Sequence, residues 1–230
     1  GEIWGYVSDG YYTIDDFDAP GSWKLNEGVP SIEGVNPRPG DEKFVNLNDD
    51  RGENQINSGL NTVSSPGDQK VIGNSTPRYN FGVNLGVSYK GFSLSAILQG
   101  TAKRDVWIGG MSLFPFGGSG KAYYPVYWVA KNPNASLYRI YDNMQNAGSN
   151  QRVSTKYLQN GAYMRLKNVT LAYTFPRTLV SKISLSGLKL FVSAENLATI
   201  SSLPDGYDPE RLSWGYPFYR TVSFGFNVTL

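Results

Sequence analysis

Along residues Tyr79–Tyr89 every odd position is apolar or aromatic and every even one is Asn, Gly or Ser. Successive side chains of a strand point to opposite faces, so this segment has one apolar face, ending in Tyr at both termini, and one face of small polar groups. Aromatic ends with aliphatics between suit a strand whose outer face meets lipid and whose ends lie at the two headgroup layers. Eleven residues also match the roughly 9–11 that a tilted strand needs to cross a bilayer. A buried strand of a soluble sandwich has the same local pattern. The stretch from Val222 to Leu230 repeats it, with Val222, Phe224, Phe226, Val228 and Leu230 alternating with Ser223, Gly225, Asn227 and Thr229. A bare amphipathic strand at the end of a chain is an association hazard in a soluble domain but suits a strand that closes a barrel.

The same reading predicts strands over 78–90, from Phe92 to about Lys103, and over 161–175, 187–198 and 217–230. On the third of these, Arg165 and Lys167 share the parity of Val169, Leu171, Tyr173 and Phe175, which places both charges on the apolar face but beyond the hydrocarbon. Short connections at 90–91 and 176–186 stand at one end of the strands. Long ones at 1–77, 104–160 and 199–216 stand at the other, the loop asymmetry of an outer-membrane barrel, which would put Leu230 on the periplasmic side. Residues 1–77 read as a long loop region with short extended pieces, and 78–230 as barrel strands with long loops at 104–160 and 199–216. The expected fold class is all-β, an antiparallel transmembrane β-barrel segment.

Composition narrows the chemistry. Among 230 residues there are 26 Gly and 16 Tyr, which suits strands and turns. Neither Cys nor His occurs, which excludes disulfides, thiolate or imidazole metal sites and His-based triads within this chain. The net charge of +2 is dispersed, with no basic stripe for nucleic acid. No apolar run is long enough for a transmembrane helix. The start at Gly1-Glu2-Ile3 leads us to expect a fragment whose export signal lies on an upstream part.

Several strings then resemble, in order, the C-terminal portion of SusC/RagA-type TonB-dependent transporters of the Bacteroidetes outer membrane. They are Gly5-Tyr6 through Gly10, Gly40-Asp41 through Gly52, Ile72-Gly73 through Pro77, Tyr89-Lys90-Gly91-Phe92 with Gln99-Gly100, Tyr163-Met164-Arg165-Leu166-Lys167-Asn168-Val169-Thr170-Leu171, Glu195-Asn196-Leu197, and Gly206-Tyr207-Asp208-Pro209-Glu210. The Tyr163–Leu171 string is the most specific. The chain departs from the family's pattern at Asn46, at Arg51 and at its last residue, Leu230, where an aromatic is common. The resemblance implies about the last five strands of a 22-stranded barrel, with plug, TonB box and remaining strands on other parts of the same transporter. It implies coupling to TonB through the missing N-terminal part, a SusD-type surface lipoprotein as lid, and import of oligosaccharides or peptides across the outer membrane.

Candidate chemistry lies in the loops. Trp107, Phe114, Phe116, Tyr123, Tyr124, Tyr127 and Trp128 crowd the second long loop; flat aromatic faces stack on sugar rings or peptide side chains and anchor interfaces, so these are the candidates for substrate or lid contact. Loop self-packing is the plainer alternative, and solvated surface is the default for Arg139, Asp142 and Arg152. Asn46, Asn48 and Asp50 alternate as calcium ligands would, but the Gly falls late and no Glu follows, so an Asx-rich turn is the better reading and no metal site is assigned. Gly117–Lys121 lacks the leading Gly and the Ser/Thr of a phosphate loop. Four glycosylation sequons occur, two of them inside expected strands. Carboxylate pairs at Asp15/Asp16, Asp49/Asp50 and Asp208/Glu210 are placed opposite nothing, and no catalytic residue or cofactor is expected. The alternatives to a transporter are a secreted β-sandwich that binds glycan through the aromatic loop and, with least support, a glycoside hydrolase.

Overall fold

The computed structural model describes residues 1–48, 54–109, 128–132, 134–135, 137–141, 148–204, 206–212 and 218–230. Among these the strands are β1 (Glu2–Tyr6), β2 (Ser8–Tyr11), β3 (Ser31–Ile32), β4 (Glu42–Phe44), β5 (Gln55–Ile56), β6 (Gln69–Asn74), β7 (Tyr79–Tyr89), β8 (Phe92–Ala102), β9 (Asp105–Trp107), β10 (Leu158–Asn160), β11 (Tyr163–Thr174), β12 (Gly187–Ser201) and β13 (Thr221–Thr229). The chain divides into two compact units, one built from 1–76 and 105–159 and the other from 77–104 and 160–230.

The second unit is one open antiparallel sheet in the order β13-β12-β11-β8-β7. Its register gathers the apolar positions of all five strands onto one face. Leu85 of β7 pairs with Ala96 of β8, which pairs with Val169 of β11, then Ala194 of β12 and Val222 of β13. The row beside it runs Val87, Leu94, Leu171, Val192, Phe224. These side chains are not covered: Leu85 is 54% exposed and Phe224 80%. At the short-turn end Tyr89, Phe92 and Tyr173 stand in register on three neighbouring strands, the girdle arrangement of a membrane strand end. Hydrogen-bonded strands in register, with alternation set by the pleat, are what make a single face this uniform.

Two local features shape the sheet. Lys90 and Gly91 both adopt positive φ, 45° and 89°, the two-residue turn whose twist matches the flanking strands. On β11, Leu166 pairs with Leu98 and Asn168 with Ile97, so Lys167 is an extra residue opposite β8. Opposite β12 the same two residues of β11 meet Ala198 and Glu195, so β12 carries an extra residue of its own there, where Asn196 adopts φ 51°. A bulge reverses the alternation. Upstream of it Met164 and Leu166, not Arg165, share the apolar face with Val169 and Leu171. The expectation that Arg165 sits on the apolar side beyond the hydrocarbon is therefore overturned: it lies on the polar face, 3% exposed, because one inserted residue shifts the period of two.

In the other unit β1 pairs with β6, β2 with β4, β9 with β10, and β3 runs parallel to β5. Tyr6, Ile32, Phe44 and Ile56 form its core, with the Tyr6 and Phe44 rings 5.2 Å apart. The segment 1–76 is not a loop on its own. Tyr6 donates its N–H to Val153 O (2.8 Å) and Ser8 to Thr155 Oγ1 (2.9 Å), partners about 150 residues away.

Candidate functional site

In the loop-built unit the Gly40-Asp41 pair is the organising point. Gly40 has φ 92°. A Cβ built there would lie 2.4 Å from Cε3 of Trp128, so only glycine lets the indole lie against the backbone. The Asp41 carboxylate accepts the Arg38 N–H (2.7 Å), the Tyr141 hydroxyl (2.6 Å) and the Asn150 amide (2.9 Å). Burial still pushes its pKa up, against these bonds and the nearby Arg139. A pocket of about 460 Å³ opens beside this point, lined by Ile14, Trp23, Pro39, Trp128, Arg139 and Ile140 among others. Arg38 lies over the Trp23 ring and Arg139 over the Tyr141 ring. The concavity thus offers indole faces and a guanidinium, groups that hold sugar rings, aromatic side chains or carboxylates.

Two further buried carboxylates stiffen the unit. Asp68 accepts the backbone N–H groups of Leu47, Asn48 and Asn57 at 2.7–2.9 Å, pinning two loops together. Asn48 gives its own side-chain amide to Gly67 O. That contact joins two loops 19 residues apart and is not a local Asx turn; Asp50 lies outside the described residues. Glu42 is 2% exposed and its pKa is pushed up to about 7 by loss of water, with the Ser154 and Ser8 hydroxyls and Lys156 opposing.

In the sheet unit a second constellation stands on the polar face. Arg165 donates from Nη1 to Glu210 Oε2 (2.6 Å), from Nη2 to Asp208 Oδ2 (2.7 Å) and from Nε to Thr199 Oγ1 (2.9 Å). Lys167 reaches both Glu210 oxygens at 2.9 and 3.0 Å. Gln99 donates to Glu210 as well, at 3.3 Å. Burial raises the Asp208 pKa, but the Glu210 N–H and Arg165 outweigh it and hold that carboxyl below its ordinary value. Ion-paired in this way, Asp208 and Glu210 anchor the loop to the sheet. The two strings that met here, Tyr163–Leu171 and Gly206–Glu210, were visible in the sequence, but their pairing was hidden by the bulge.

Of the aromatic candidates, Trp128 lines the pocket. Trp107, at the end of β9, packs its indole against Gly109 instead and is not among the pocket's lining residues. Phe114, Phe116, Tyr123, Tyr124 and Tyr127 lie outside the described residues, as do Asp142, Asp49 and the Gly117–Lys121 stretch. Arg139 and Arg152 are not freely solvated: each stacks on a tyrosine, Tyr141 and Tyr6 respectively. Trp23 and Arg38 were missed, because nothing near them in the sequence marks a site.

No family model matches the chain. Over 99% of its length it is 28% identical to TonB-dependent receptor P3 of Formosa agariphila, and over 91% it is 28% identical to TonB-dependent receptor P26 of the same organism. It spans 22% of the length of each. Among solved structures, the RagAB peptide importer in its open-open state superposes over 100% of this chain and 22% of its own, with a TM-score of 0.62 at 18% identity. The closed-closed state of the same importer gives a TM-score of 0.57 over 99% of this chain. From end to end, this chain is similar to a C-terminal portion of the SusC/RagA-type TonB-dependent transporters and shares their antiparallel barrel-wall fold.

Proposed function

We propose that this chain supplies part of the wall and outer vestibule of a TonB-dependent nutrient importer in a Gram-negative outer membrane. The observation that carries this reading is the uncovered apolar face shared by five in-register strands, on a chain similar throughout to TonB-dependent receptors. Lipid covers that face, and the free edges of β7 and β13 pair with further strands of the same transporter, since unpaired backbone is not stable in hydrocarbon. A sandwich needs a second sheet over the apolar row, and those side chains stand open. The short turns and the C-terminus face the periplasm, and the long loops face outward. There the Trp23–Trp128–Arg139 pocket and the aromatic run 107–128 contact the imported oligosaccharide or peptide, or the SusD-type lid; the likeness to a peptide importer favours peptide. No step on this chain is chemical: transport rests on binding, lid closure and displacement of a plug driven by TonB.

The test is uptake of a labelled oligopeptide mixture and of labelled oligosaccharides by cells carrying the intact transporter, with and without Trp128→Ala. The reading expects uptake of one class to fall several-fold in the variant while the transporter stays in the outer membrane. Full extraction of the transporter into aqueous buffer without detergent would overturn it.

A further inference from the structure

We propose that Arg165 and Lys167 form a latch that holds residues 206–212, between β12 and β13, against the polar face of the sheet, so that this turn is a fixed constriction of the conduit. This rests on the importer reading above. The latch has three tiers. The two cations and Gln99 on neighbouring strands grip Asp208 and Glu210. Arg104, just past β8, donates to the backbone oxygens of both Gly161 and Pro209. Phe218 lies beneath three cations, with Arg165, Lys167 and Arg211 within 5.1 Å of its ring centre.

The geometry is too specific for an incidental surface pair. The Arg165 side chain is 4% exposed and bonds to two carboxylates and a hydroxyl at once. Within the turn, Glu210 N–H bonds back to Asp208 Oδ1 at 2.9 Å, which presents both carboxylates to the same guanidinium. The charges are placed by the bulge: without the extra Lys167, Arg165 would emerge on the apolar face. Exposed ion pairs contribute little, but a buried pair stripped of one partner leaves a charge without compensation, so loss of Arg165 releases the turn.

The chain has no cysteine, so Pro209→Cys places a single thiol here, at a position now buried. In the intact transporter in outer-membrane vesicles, the rate of its modification by a small water-soluble maleimide reads the latch. We expect at least a tenfold rise when Arg165→Met or the double change Asp208→Asn with Glu210→Gln is added, and little change with Arg177→Gln, an exposed cation in the short connection between β11 and β12. Cells carrying either latch variant should also become more permeable to a large antibiotic that outer membranes exclude. An unchanged labelling rate in both variants, with the barrel still shifting its gel mobility on heating, would overturn the latch. Faster labelling with unchanged permeability would overturn the constriction. Loss of the heat-dependent mobility in the Pro209→Cys parent would speak against the barrel reading itself, a separate failure.

Discussion

Phe92 of β8 and Tyr173 of β11 lie in register with ring centroids 4.5 Å apart, tilted by 44°. Tyr89 pairs with Phe92 on its other side. The row marks a depth, where the apolar face ends and an interface begins. Position along β7 should therefore decide the cost of a charge. Leu85→Arg, near the strand's middle, should destabilise the folded transporter by about 2–4 kcal/mol, and Tyr89→Arg by no more than about 1 kcal/mol. Urea titration in lipid vesicles measures both. Equal costs would break the assignment of depth.

Deleting Lys167 removes the bulge and restores an unbroken alternation along β11. Arg165 would then turn to the apolar face and Met164 and Leu166 to the polar one. Assembly should fail or slow markedly, whereas Lys167→Ala, which keeps the residue count, should assemble. The heat-dependent gel shift of the two variants, compared after membrane insertion, decides this.

Gly40→Val should disturb the Trp128 pocket. It forces a branched side chain into φ 92° and into the indole, at a cost of about 1–3 kcal/mol for the backbone alone. Hydrogen exchange over residues 37–45 should quicken, and strands β7–β8 should be unaffected.

Glu42 gives the loop-built unit a pH dependence. Its folded pKa, about 7, stands above the ordinary glutamate value of 4.5, so the folded state holds the proton more tightly than the unfolded chain. Its stabilising share is full below pH about 4.5 and is lost as pH rises through about 7, a swing on the order of 3 kcal/mol. Protection of β2 and β4 from hydrogen exchange, corrected for intrinsic rates, should fall between pH 5 and 8. Glu42→Gln should flatten that profile, and a profile that rises with pH would have the wrong sign.

Much of the sheet was legible because its signal is local. β7 spans Tyr79–Tyr89 as the alternation predicts, and the turn at Lys90-Gly91 follows from a glycine able to take positive φ. β12 runs on to Ser201, past the expected 198, because Thr199 and Ser201 pair with Arg165 and Tyr163; pairing, not propensity, extends it. β13 begins at Thr221 and not at 217. The site was less legible. Asp41 meets Tyr141 and Asn150 about 100 residues away, and Arg165 meets Glu210 only because Lys167 shifts the period. Contacts of that kind leave no periodic trace in a single sequence.

The central claim is that lipid covers one face of β7 and β13. Single cysteines along Val83–Val87 and Val222–Phe226, carrying a fluorescent label in the intact, reconstituted transporter, test it by quenching from nitroxide-bearing lipid. The account predicts strong quenching at Val83, Leu85, Val87, Val222, Phe224 and Phe226 and weak quenching at Asn84, Gly86, Ser223 and Gly225, a period of two on both strands. Quenching that is uniformly weak at all of these positions would contradict it.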